Sequence, residues 1–190
     1  CPVCYTEENP LPSDLAALFR NDHPVRMEIG MGKGRFIMAQ AAAHPECNYI
    51  GVERCTSILI RAIEKYEEQP LENLRFLCAD AVWMGEWLLP GSIDRLYLNF
   101  SDPCPKERHR KRRLTYRSFL RLYAHLLRED GILEFKTDNR SLFEFSLSEL
   151  EEEGWPLLQT TFDLYGEPDL LEGNIPTEYE ERFSAQGCPI

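Results

Sequence analysis

Short apolar runs that lead directly into helical windows recur five times along this chain, and that recurrence decides what it can fold into. The β-type runs fall at 25–29, 49–53, 74–78, 93–100 and 131–136, and helical periodicity follows at 36–43, 58–67, 82–88, 116–127 and 140–152. Strands separated by helices cannot pair through tight hairpins, so they pair in parallel, with helices covering both faces of the sheet. The expected fold is therefore α/β, with a mainly parallel, Rossmann-like sheet. Ser13-Asp14 before the apolar run 15–19 adds a capped helix, so residues from about 1 to 24 read as a short helical segment leading into the sheet. Gly154 and Pro156 stop the last helix, and 157–164 with 180–184 are expected to pair as antiparallel strands at one edge. With 190 residues and no linker or internal repeat, residues 1–190 read as one domain.

In an open α/β sheet ligands sit at the carboxyl ends of the strands, and polar residues recur there. The first strand run ends in Glu28-Ile-Gly30-Met-Gly32-Lys-Gly34 and enters a helix at once. Glycines at alternate positions let the backbone turn sharply and approach a ligand where a side chain would clash. The spacing is G-x-G-x-G, with Arg35 where the dinucleotide pattern would continue. Glu53 ends the second strand run, at the place suited to gripping ribose hydroxyls, and Asp80 ends the third, able to accept a hydrogen bond from an adenine amino group. Any one of these acids alone reads as a helix cap; three of them beside a glycine turn do not. Carboxylates repel phosphate and favour a nucleoside that carries positive charge. S-adenosylmethionine has those properties.

The formal net charge of −11 argues against a nucleic-acid partner only if charge is evenly spread. It is not. From Lys106 to Arg128 nine Lys or Arg stand against Glu107 alone, a net +8, which leaves −19 for the rest. The fourth strand run leads into Asp102-Pro-Cys-Pro-Lys106, whose two prolines keep the backbone out of helix, and then into Glu107-Arg-His-Arg-Lys-Arg-Arg113. A basic run tied to a strand-end carboxylate is a candidate docking strip for an RNA or DNA backbone, gripping phosphate without reading sequence. Twelve acids and one base between Glu144 and Arg182 make up much of the opposite charge, read as a solvated surface that repels misplaced RNA.

Seven cysteines, at 1, 4, 47, 55, 78, 104 and 188, read as a reduced cytosolic thiol set; only Cys1 and Cys4 have metal or redox spacing, without a second pair. No metal site is expected, because His23, His44, His109 and His125 lack ligand spacing. No apolar run is long enough to cross a bilayer, so a cytoplasmic protein without a membrane partner is expected, as a monomer or homodimer. The chain begins without Met and stops soon after Cys188, and both ends are read as trimmed.

Taken together these motifs resemble the tRNA (guanine-N7)-methyltransferase family in its bacterial single-chain form. The resemblance rests on the glycine turn, Gly51-Val-Glu53, Asp80-Ala81, the Asp102 loop with its basic run, Phe135-Lys-Thr-Asp138, and Ile175-Pro-Thr-Glu-Tyr-Glu180 with Arg182-Phe183. It implies a class I S-adenosylmethionine-dependent methyltransferase fold and methyl transfer to N7 of a guanine in the tRNA variable loop. By motif, Glu28, Gly30, Gly32, Gly34, Glu53, Asp80, Ala81 and Asp102 would contact the cofactor, and Asp102 would also be catalytic. Lys106, Asp138, Thr177, Glu178, Tyr179 and Glu180 would hold the guanosine, and Arg108, His109, Arg110, Lys111, Arg112 and Arg113 the RNA. The chain departs from the family at Ser101 and Cys104, where Pro and Trp are usual. A different class I methyltransferase with another RNA substrate and a non-catalytic RNA-binding module are the rival readings. Thr177-x-x-Glu180 is also the pattern of a helix capping box.

Overall fold

A computed structural model describes residues 2–187, 189 and 190. In chain order its elements are β1 (Cys4–Thr6), α1 (Leu15–Phe19), β2 (Val25–Ile29), α2 (Arg35–Ala43), β3 (Asn48–Val52), α3 (Thr56–Glu68) and β4 (Leu74–Cys78). After a 3-10 turn at Ala81–Trp83 come α4 (Met84–Trp87) and β5 (Ile93–Asn99), then a 3-10 helix at Glu107–Arg112, α5 (Arg117–Leu126), β6 (Leu127–Lys136) and α6 (Arg140–Glu152). A 3-10 turn at Leu164–Gly166, α7 (Pro168–Leu171) and α8 (Glu178–Ser184) follow. The residues group into two compact units, the first running to Leu98 and including Leu122–Glu134, the second made of Asn99–Arg121 and Phe135–Ile190.

The first unit is built on the sheet, ordered β1-β4-β3-β2-β5-β6. β4 with β3, β3 with β2 and β2 with β5 pair in parallel, as the strand-helix alternation predicts, and β1 joins β4 in parallel as well. All five residues of β3 are buried, which requires cover on both faces. On one face Tyr49, Leu74 and Phe76 pack with Ile37 and Ala41 of α2 and Leu59, Ala62 and Tyr66 of α3. Each large apolar side chain buried there stabilises the fold by about 1.5–3 kcal/mol. Gly51 belongs to this packing: a Cβ there would meet Met31 Sδ at 2.3 Å, so its absence lets the turn after β2 settle onto β3. Asp14 caps α1 by accepting the Ala17 amide at 3.0 Å, as expected. Strand β1 was not expected. Three residues carry no readable alternation, and only its register with β4, Cys4 opposite Phe76, defines it.

In the second unit α5 and α6 are joined through charge. The Arg117 amide and guanidinium donate three bonds of 2.7–3.0 Å to Glu149, which is 5% exposed, and Arg121 donates two to Glu153. Arg117 also pairs with Glu152. Two of the basic residues counted with the strip, and part of the acidic surface thought to repel RNA, thus hold two helices together. The guanidinium of Arg117, bonded to Glu149, holds that carboxyl below the usual carboxylate range. Its contribution to stability is complete above the ordinary Glu pKa and is lost as pH falls through the lowered value. Glu149→Gln should therefore lower the melting temperature by several degrees at neutral pH, and the difference from wild type should shrink as thermal unfolding is repeated toward about pH 3.

The antiparallel edge expected from 157–164 and 180–184 does not form. Residues 157–163 take neither strand nor helix, and Glu178–Ser184 is helical. The capping box decides it: Thr177 Oγ1 accepts the Glu180 amide at 2.9 Å, while Glu180 Oε2 accepts the Thr177 amide at 3.2 Å, which nucleates a first turn. The segment 165–175 contains the end of one 3-10 turn and α7, with Pro168 at a position where a helix needs no amide donor.

Candidate active site

In the first unit the glycine turn is held against β3. The Gly30 and Met31 amides donate to Val52 O at 2.9 and 3.1 Å, and φ is +76° at Gly30, +58° at Gly32 and +73° at Gly34, where α2 starts. Glu28, 2% exposed, lies in β2 opposite Gly51 and Tyr97. Glu53, 8% exposed, accepts the Gly32 amide at 3.1 Å and the Cys55 amide at 2.9 Å. Glu53 thus fixes the turn as well as standing at the end of its strand. Asp80 caps the 3-10 turn through the Val82 amide, and buried Ala81 follows it. In the strand order β4-β3-β2 these acids occupy three adjacent strand ends. Sequence reasoning missed Glu7, just after β1, which accepts the Asp80 amide at 3.2 Å; only the unforeseen pairing of β1 brings it there.

The residues present fit S-adenosylmethionine. Three carboxylates suit a cationic nucleoside, and at Gly32 a Cβ would meet nothing within 4 Å, so the backbone there borders open space. Gly32→Ala isolates that space. The left-handed backbone should cost about 1–2 kcal/mol of stability, while the added methyl enters the cradle. Calorimetry should show S-adenosylmethionine affinity falling by much more than the modest change in thermal unfolding.

In the second unit Asp102 is exposed, and its Oδ1 accepts the Cys104 amide at 2.8 Å. Phe100 (φ +51°) and Cys104 (φ +43°) flank it in left-handed conformations that side chains normally avoid, and such strain collects at functional loops. Burial, with Asp102 beside it, pushes the Cys104 thiol up. Arg113 braces the loop: Nε donates to Pro103 O at 3.0 Å, Nη2 to Cys104 O at 3.3 Å, and the guanidinium lies 4.3 Å from the centre of the Phe145 ring.

The remaining basic residues behave differently. Lys106, Arg108, Arg110, Lys111 and Arg112 are exposed, with His109 half-buried; Arg110 pairs with Glu107 at 2.8 Å. Asp138 accepts the Tyr179 hydroxyl at 2.9 Å, and the Tyr179 ring lies 4.1 Å from Phe183 and 4.9 Å from Phe100. Asp138, Glu178 and Tyr179 are exposed, whereas Thr177 and Glu180 are buried in the capping box. Among the described residues no group of three or more His, Cys, Asp or Glu is placed to hold a metal, and Cys4, Cys47, Cys55, Cys78 and Cys104 are free thiols. Cys1 and Cys188 lie outside the described residues.

A parallel sheet with a glycine turn after one strand and acids at three adjacent strand ends is the arrangement of the class I S-adenosylmethionine-dependent methyltransferases. Solved structures share the fold: an antibiotic-related methyltransferase (TM-score 0.65, 21% identity, 92% of this chain and 88% of that one) and the 16S rRNA methyltransferase KamB (TM-score 0.65, 19% identity, 96% and 91%). At that identity the likeness is one of fold. Residues 22–190 match the family described as "Putative methyltransferase". The tRNA (guanine-N(7)-)-methyltransferase of Lachnoclostridium phytofermentans is 53% identical over 91% of this chain and 80% of its own length. Those of Listeria monocytogenes and Bacillus cytotoxicus are 51% and 49% identical over the same share of this chain, covering 80% and 79% of their lengths. The chain belongs to this family of tRNA (guanine-N(7)-)-methyltransferases.

Proposed function

We propose that residues 1–190 act as one methyltransferase domain, in which the glycine turn, Glu28, Glu53, Asp80 and Asp102 serve the cofactor and the basic strip, Asp138 and Tyr179 serve the RNA and its target base. The enzyme transfers a methyl group from S-adenosylmethionine to N7 of a guanine in tRNA, which we place in the variable loop. The observation that carries this is the loop of Asp102 running directly into an exposed basic strip, Lys106–Arg112, a feature for which a methyltransferase of small molecules has no use. Family membership at about half identity supports the same activity.

Bound S-adenosylmethionine supplies an electrophilic methyl on a cationic sulfur. Glu28, Glu53 and Asp80, with the glycine turn, bind and orient it. Guanine N7 has a free lone pair at neutral pH, so no proton need be removed before attack, and the protein's task is alignment. As the N7–methyl bond forms the sulfur–methyl bond would break, the cofactor leaving as neutral S-adenosylhomocysteine, so the positive charge would pass from sulfur to the purine ring, where the Asp102 carboxylate would stabilise it. Asp138 and Tyr179 grip the guanine edge, with Asp138 accepting from its N1 and N2 donors. Lys106 and the exposed arginines bind phosphate and bring the tRNA to the loop. The target base is partly shielded in folded tRNA, so local unstacking accompanies binding. No helix among the described residues is long and apolar enough to cross a membrane; a cytoplasmic enzyme, monomer or homodimer, without a metal, completes the proposal.

The test is incubation with unmodified tRNA and labelled cofactor followed by nucleoside analysis. We expect 7-methylguanosine. A different methylated nucleoside defeats the assignment of N7, and no incorporation defeats the activity.

A further inference from the structure

Glu180 belongs by motif to the guanine-binding set, yet it is fully buried (0% exposed) and bonded inward through both oxygens. Oε2 accepts from Lys136 Nζ at 2.7 Å and from the Thr177 amide at 3.2 Å; Oε1 accepts from Asn174 Nδ2 at 2.8 Å and the Tyr165 hydroxyl at 3.3 Å. The Lys136 ammonium, on a side chain 15% exposed, donates further to Asn174 Oδ1 at 3.0 Å and Ile175 O at 3.5 Å. Every one of these bonds stays within the second unit.

The position of this network matters more than its strength. Lys136 ends β6 and stands two residues before Asp138; Glu180 lies in the first turn of α8, one residue after Tyr179. Those two neighbours form the exposed Asp138–Tyr179 pair. The buried ion pair therefore sets the offset between two chain segments, each of which carries half of that pair. Buried ion pairs contribute little net stability against a well-packed apolar substitute, because desolvation offsets the attraction, and fixing one arrangement is their better-attested use.

We propose that Lys136 is a positioning residue for guanine recognition, acting through Glu180 to hold Tyr179 against Asp138, and that Glu180 works from behind the site rather than on the base. This rests on the reading of Asp138 and Tyr179 as the guanine grip. A misplacement of about 1 Å is worth on the order of 100-fold in rate when orientation is the main source of catalysis.

Two variants test it: Lys136→Met, which leaves the Glu180 charge buried without its cation, and the double variant Lys136→Met with Glu180→Gln, which removes both charges while the Gln amide can still cap Thr177. For each, kcat is measured on unmodified tRNA, together with tRNA affinity by filter binding, S-adenosylmethionine affinity by calorimetry and the melting temperature. The single variant should lose about 100-fold in kcat with both affinities within about twofold, because the phosphate-binding side chains and the cofactor cradle lie elsewhere in the chain. The double variant, free of the stranded charge, should fold as wild type and recover about tenfold of that loss. Unchanged kcat in both variants overturns the proposal. So does a double variant in which kcat, both affinities and melting temperature all fall together, since that marks a merely structural role. If wild type itself forms no 7-methylguanosine, the proposed function fails instead, and the two failures are distinct.

Discussion

Replacing Arg110, Lys111 and Arg112 together with Ala should weaken tRNA binding on the order of tenfold or more at low salt and lower the slope of log affinity against log salt by about 1 for each phosphate no longer neutralised. These side chains are exposed on the 3-10 helix, where they are available to displace counterions from a phosphate backbone. The rate at saturating tRNA should change little. Arg113→Ala should do the opposite, although it is the next residue in the same run. Its guanidinium bonds to Pro103 O and Cys104 O and stacks on Phe145, so its loss releases the loop that presents Asp102. We expect kcat to fall at least tenfold while the salt slope stays at its wild-type value. Arg113→Lys should not rescue it, because a single ammonium lacks the planar fork that serves two carbonyls and a ring at once. A salt slope lowered as much by Arg113→Ala as by each residue of the triple variant would return Arg113 to the strip.

Arg113 also shows where sequence ends and tertiary structure begins. The order of strands and helices is legible because it rests on local periodicity, and strand ends at Ile29, Val52, Cys78 and Asn99 each fall within a residue of expectation. The glycine turn and its acids are legible for the same reason: strand ends collect ligands in any open parallel sheet. What a basic residue does is not local. Six positive or potentially positive side chains in a row look equivalent, and only the ten-residue return from Arg113 to Pro103 separates one of them. Arg117 and Arg121 likewise count toward a basic stretch until α6 brings Glu149 and Glu153 opposite them. At 177–184 the local signal was present in two forms, a capping box and a strand-like run, and the box prevails because it satisfies two backbone amides within the chain while a strand there would need a partner that 157–163 does not provide. Glu180 follows from that choice: once the residue is third in a capped helix beside Lys136, its carboxylate faces inward.

The largest single-residue effect should come from Asp102, and two substitutions separate its two tasks. Oδ1 accepts the Cys104 amide and so holds a loop in which Phe100 and Cys104 both adopt strained backbone. Asn in place of Asp keeps an oxygen for that amide and removes only the negative charge; Ala removes both. If the carboxylate acts on the charge that develops on the purine ring, Asp102→Asn should lower the single-turnover methylation rate by about 100- to 1,000-fold, the usual cost of losing one preorganised electrostatic group. Asp102→Ala should lose at least as much and should also destabilise the loop. Neither variant should acquire a new pH dependence between about pH 6 and pH 9, because guanine N7 gives up no proton and the reaction needs no general base. If Asp102→Asn methylates tRNA near the wild-type rate, the charge has no part in the reaction and the residue serves only to cap its loop. A rate that rises with pH in the wild type and not in Asp102→Asn would instead mark proton removal by this carboxylate, and alignment of a ready nucleophile would no longer suffice as the mechanism.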